Sequence, residues 1–114
     1  MKEYDLQVAV VKYLKLTFPD ALYCASLGGI RTTFRQAVKA KATGYVKGHP
    51  DLFVYEPRGK YHGLALELKV KGNYATKEQK KWITKLNERG YYAVVTRGLD
   101  NTIEEIEKYL NSPL

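Results

Sequence analysis

The chain has 114 residues, 45% of them hydrophobic, and a formal net charge of +7. That length suits one core, so a single domain over residues 1–114 is expected. No apolar run is long enough to span a bilayer, Met1-Lys2-Glu3 opens no signal peptide, and the lone Cys24 forbids an intrachain disulfide, so neither a membrane nor a secreted protein is expected.

Helical spacing of Leu6, Ala9, Val10, Tyr13 and Leu14 predicts a first helix from about Lys2 to Leu16. Glu3 and Gln7 prolong its inward face toward the N-terminus, while Asp5 lies to one side. Pro19-Asp20 ends it. A strand is predicted over Ala21–Ser26, with Cys24 as a buried structural thiol, and Gly28-Gly29 breaks it. Thr32 or Thr33 caps an inserted helix that runs to about Ala42, where Gly44 stops it.

Gly48-His49-Pro50 is a turn into a second strand, Asp51 followed by Leu52-Phe53-Val54-Tyr55. Pro57-Arg58-Gly59-Lys60 connects it as a hairpin to a third strand over Gly63–Val70. Thr76-Lys77-Glu78-Gln79 reads as a capping box. The helix it opens buries Trp82, Ile83 and Leu86 and closes at Gly90. Tyr91–Thr96 is a fourth strand. Asp100 or Asn101 caps a last helix that buries Ile103, Ile106 and Leu110, with Glu104, Glu105 and Lys108 solvated outside. The order αβ(α)ββαβα implies an α/β fold, a mixed β-sheet flanked by helices.

The charge is unevenly spread. Between Asp20 and Asp51 there is no acidic residue, only Arg31, Arg35, Lys39, Lys41 and Lys47. Arg31, Arg35 and Lys39 recur every fourth residue and form one helical stripe. A basic stripe without acidic partners suits a phosphate backbone, and it lacks the bulky apolar flank of a membrane-surface helix.

The chemistry centres on Asp51, Glu67 and Lys69. Alternation along a strand puts Glu67 and Lys69 on one face, and Asp51 joins them if the two strands are neighbours. Two carboxylates and an ammonium are costly to bury without a ligand. With a divalent cation between the carboxylates they become a hydrolytic centre. Lys71 shares the Glu67 face and is a further candidate phosphate contact. His49 and His62 read as loop residues rather than bases.

On Glu3 with Gln7, Gly48-His49-Pro50-Asp51, Glu67-Leu68-Lys69, and Thr76 with Gln79, the chain resembles the PD-(D/E)XK nuclease superfamily and, within it, the VRR-NUC family. The resemblance implies a restriction-endonuclease-like core. It implies Asp51 and Glu67 as metal ligands, with the Leu68 carbonyl beside them and Glu3 acting directly or through water. Lys69 is implied to orient the attacking water, and Gln79 to be an auxiliary polar residue at the rim. Mg²⁺ or Mn²⁺ is the implied cofactor.

The resulting expectation is a structure-selective DNA endonuclease. Family resemblance adds branched DNA such as Holliday junctions as substrate and a homodimer as the working form, with Phe34 and Val38, or Tyr91 and Tyr92, as candidate interface. A cytoplasmic setting, in a phage or bacterium, fits its size. Rival expectations are a non-catalytic nucleic-acid-binding module and a nuclease for single-stranded DNA or RNA.

Overall fold

The computed structural model describes residues 1–26 and 33–113. Gly28-Gly29, Arg31 and the capping alternative Thr32 lie outside the described residues. Among the described residues the order is α1 (Glu3–Thr17), β1 (Tyr23–Ala25), α2 (Phe34–Ala42), β2 (Leu52–Val54), β3 (Leu64–Lys69), α3 (Lys77–Glu88), β4 (Tyr92–Arg97) and α4 (Gly98–Leu110). The strands form one mixed sheet in the order β1-β2-β3-β4. β1 and β3 each run antiparallel to β2, while β4 runs parallel to β3. A parallel pair needs a crossover, and α3 supplies it.

β3 is buried along its whole length. Leu64, Leu66 and Leu68 pack with Leu6, Val10 and Leu14 of α1, Leu52 and Val54 of β2, and Ile106, Tyr109 and Leu110 of α4. These residues fall on helical and strand periods, which is why α1 and α4 share one face of the sheet. By alternation Ala65, Glu67 and Lys69 occupy the other face, where α3 packs on β3 and β4. The Asn87 side chain fixes α3 to the free edge of β4: its Nδ2 donates to the Ala93 carbonyl at 2.9 Å and its Oδ1 accepts from the Ala93 N–H at 3.0 Å. That pair occupies edge groups otherwise open to a foreign strand.

Thr33 and Thr76 each cap a helix through a reciprocal box, with Gln36 and Gln79 as partners. Several details differ from the sequence expectation. β1 is three residues long, and Cys24 is exposed rather than buried, because β1 is the sheet edge and its pattern is open to solvent. α4 starts at Gly98, directly from β4, and not after Asp100 or Asn101. Asn101 instead reaches back from inside the helix, its Oδ1 accepting from the Arg97 N–H at 2.8 Å. No α3 residue is fully buried: Trp82, Ile83 and Leu86 are half-buried, because one side of α3 is open to a groove. Glu105 is not merely solvated, since its Oε2 accepts from the Tyr92 hydroxyl at 2.9 Å.

Tyr91 and Tyr92 are half-buried and engaged in ring contacts with Phe53, His62, Tyr61 and Tyr109. Phe34 and Val38, by contrast, are 87% and 52% exposed. Among the described residues α2 has no buried side chain and packs on no other helix or strand. Among the described residues no helix is long and apolar enough to cross a membrane.

Candidate active site

The turn before β2 sets the geometry. Gly48 adopts φ +95°, and a Cβ there would stand 2.7 Å from the backbone of Glu78. Only glycine allows that approach of the turn to α3. His49 then packs edge-on against Trp82, with ring centroids 5.0 Å apart, and Pro50 is buried. His49 is thereby a structural part of the turn, and exposed His62 sits beside Gly90 and Tyr91.

The register pairs Leu52 with Leu66 and, continued, sets Asp51 opposite Glu67 and Pro50 opposite Leu68. Asp51 Oδ2 accepts from the Leu68 N–H at 2.8 Å. Proline has no N–H, so Pro50 has nothing to donate to the Leu68 carbonyl opposite it. The proline of the Pro-Asp pair thus withholds a ladder hydrogen bond from the Leu68 carbonyl.

Glu67 is 1% exposed, and among the described residues its Oε1 has no hydrogen-bond partner. Burial, and then the adjacent Asp51 carboxylate, push the Glu67 carboxyl up to about 9; the Lys69 ammonium works against them. Lys69, itself 7% exposed, holds its Nζ 3.8 Å from Glu67 Oε2 and 3.9 Å from Glu3 Oε2. At those separations the contacts are Coulombic rather than hydrogen bonds. Glu3 arrives from the first turn of α1, past the C-terminal end of β3, and its Oε2 accepts weakly from Asn73 at 3.4 Å. A cavity of about 520 Å³ opens here, and Glu3, Gln7, Asp51 and Leu68 share its wall.

Asp51, Glu67, Leu68, Lys69 and Glu3 are thus brought together by three separate pieces of chain: α1, the turn before β2, and β3. Among the described residues no three acidic, histidine or cysteine side chains converge into a complete cage. The donor set still fits a hard divalent cation. A buried carboxylate oxygen is orphaned, a second carboxylate lies beside it, and Mg²⁺ keeps several waters rather than demanding an all-protein shell. Asp51, Glu67 and the Leu68 carbonyl would hold it.

Gln79 lies at N3 of α3, and its Oε1 accepts from the Thr76 N–H at 2.8 Å, closing the capping box. The basic candidates lie elsewhere. Arg35 and Lys39 are exposed on α2, Lys41 and Lys47 line a different groove beside α3, and Lys71 is exposed in the turn after β3. Arg31 lies outside the described residues. Lys12 and Lys15 were missed: they line the 520 Å³ cavity on the α1 face that also carries Tyr4 and Val8. Extending the helical wheel one row past Glu3 and Gln7 would have found them.

A buried Glu67 beside a half-buried Asp51, with a lysine, at the end of a central strand in an α/β sheet, fits a nuclease-like fold. The chain belongs to the VRR-NUC family: the family model described as "VRR-NUC domain" matches residues 2–100. It is similar to a solved structure named "VRR_NUC domain protein", with 35% identity, 99% of this chain and 91% of that chain covered, and a TM-score of 0.85. No curated protein matches the sequence significantly. The nuclease family carries DNA binding with it as the coarse expectation.

Proposed function

We propose that the chain is a metal-dependent DNA endonuclease that hydrolyses phosphodiester bonds in branched DNA. The single observation that carries this reading is the fully buried Glu67, with an orphaned Oε1, set beside an Asp51 whose position is fixed by the Leu68 N–H. A merely structural carboxylate would have its oxygens satisfied. A bound Mg²⁺ or Mn²⁺ supplies Lewis acidity toward the phosphate and lowers the pKa of a water. Asp51 and Glu67 hold the charge that retains it. The Lys69 ammonium, kept in place by Glu67 and Glu3, faces the space where negative charge grows on the phosphate as water adds to phosphorus and the bond to the leaving sugar oxygen breaks. Gln7 and Glu3 line the approach.

The branched substrate is supported by the family and by the net charge of +7, and a four-way junction has near-twofold symmetry that a homodimer would match. Exposed Phe34 and Val38 are the patch available for such an interface, since Tyr91 and Tyr92 are already packed.

The deciding experiment is a cleavage assay on labelled duplex, single strand, flap, four-way junction and RNA, with Mg²⁺, Mn²⁺ or EDTA, for wild type and Asp51→Asn. Metal-dependent cutting, strongest on the junction and lost in the variant, is expected. Tight binding without cutting of any substrate would replace the nuclease with a binding module.

A further inference from the structure

A second groove, of about 730 Å³, runs beside α3, away from the acid pair. Lys41 and Lys47 line one side of it. Lys81, Lys85 and Arg89 line the other, around a floor of Tyr45 and Trp82. Glu78 is the one carboxylate in the lining. Among the described residues only Arg89 of these five cations is ion-paired, to Glu88 at 4.0 Å. Holding so many uncompensated like charges together raises the free energy of the fold, and a polyanion is the ligand that relieves it.

Three features make this groove more than a solvated helix face. Lys81, Lys85 and Arg89 stand four residues apart, a row stepping roughly 6 Å per position along the helix. Trp82 is fixed, its Nε1–H donating to the Lys47 carbonyl at 3.1 Å, so the two walls are tied together. The charge is also polarised across the sheet. α4, on the opposite face, carries Asp100, Glu104, Glu105 and Glu107 against Lys108 alone. A polyanion is therefore steered to the α3 side, the side on which Glu67 and Lys69 project. His49, against Trp82, joins this groove to the turn that ends in Asp51.

We infer that the groove between α3 and residues 41–47 is a second DNA site, seating the phosphate backbone of a duplex arm that flanks the cut phosphodiester. It rests on the nuclease reading and adds to it a track remote from the reacting atoms. The walls supply point charges, and the apolar floor fits the sugar edge between phosphates.

The test uses Lys81→Ala with Lys85→Ala, two exposed positions that leave the Thr76 cap and the Asn87 clamp intact. DNA binding is measured against salt in an Asp51→Asn background. Losing two phosphate contacts lowers the slope of log K against log salt by about 1.8. Trp82, the only tryptophan, is an internal probe of the groove. Duplex DNA should shield its fluorescence from acrylamide. Without the Asp51 change, a dinucleotide too short to reach the groove should be cut at the wild-type rate, while long duplex or junction substrate shows a raised KM. Cutting and binding retained with an unchanged salt slope and an unshielded Trp82 would overturn the groove alone. DNA that shields Trp82 but is never cut would remove the nuclease reading and leave the groove standing.

Discussion

Asp51 Oδ2 and the backbone N–H of Leu68, 2.8 Å apart, tie the residue before β2 to the strand that carries Glu67 and Lys69. The bond takes a backbone donor that the Pro-Asp turn would otherwise leave open, and it fixes where the second carboxylate stands. Asparagine can accept the same bond but carries no charge.

Asp51→Asn is therefore expected to fold with a near-unchanged Tm yet lose cleavage by roughly a thousandfold, about 4 kcal/mol of transition-state stabilisation. Thermal melts beside single-turnover cleavage separate the two effects. A large fall in Tm with residual activity in proportion would mean that Asp51 is a structural cap instead.

Glu67 gives a pH dependence with a definite sign. Its carboxyl is pushed up to about 9, above its ordinary value, so the metal-free fold favours the protonated form. The stability that this contributes is fully present below the ordinary carboxylate range and is lost as pH rises through about 9. In EDTA, Tm should fall across that window, and Glu67→Gln should flatten the fall. Mg²⁺ or Mn²⁺ should restore Tm at pH 8 in wild type and fail to do so in the variant. Parallel profiles for the two proteins would contradict the burial argument.

Gly48→Ala forces a side chain into the Glu78 backbone at φ +95°. A cost of roughly 1–3 kcal/mol is expected, with a fall in cleavage beyond that caused by unfolding, because the same turn delivers Asp51. Comparing kcat at a temperature where both proteins are fully folded isolates the second effect; an unchanged kcat would uncouple the turn from the site.

Thr76→Ala removes the oxygen that accepts from the Gln79 N–H at 3.2 Å. A loss of about 1 kcal/mol is expected. Gln79→Glu preserves the acceptor and the cap, so its Tm should hold. If its cleavage falls while Tm holds, the amide nitrogen of Gln79 serves the site; if both hold, the residue is a cap and nothing more.

The sequence was most legible where period and chemistry coincided. Leu6, Val10 and Leu14 fell on a helical stripe, and Leu64, Leu66 and Leu68 on alternate positions, so much of the core followed, whereas the strand order β1-β2-β3-β4 came only from the pairing. Glu67 and Lys69 shared a face by parity alone. Cys24 misled because an apolar run such as Ala21–Ala25 looks alike on a central and an edge strand, and only pairing decides which. The start of α4 was hidden because no side chain caps it: the chain turns through Gly98, at φ +78°, straight out of β4. Likewise, that Lys81, Lys85 and Arg89 face Lys41 and Lys47 is a tertiary fact no local pattern holds.

The isolation of α2 bears on how the chain can be altered. Ser26 and Asp51 are already joined, the Ser26 N–H donating to the Asp51 carbonyl at 2.9 Å, and Ala25 pairs with Leu52. The sheet closes there without help from the helix, so the ends of that excursion lie as near as the ends of a hairpin. Such a place accepts grafts: the part of α2 before Lys41 can be exchanged for another exposed helix while the strands, and the two acids they position, keep their register.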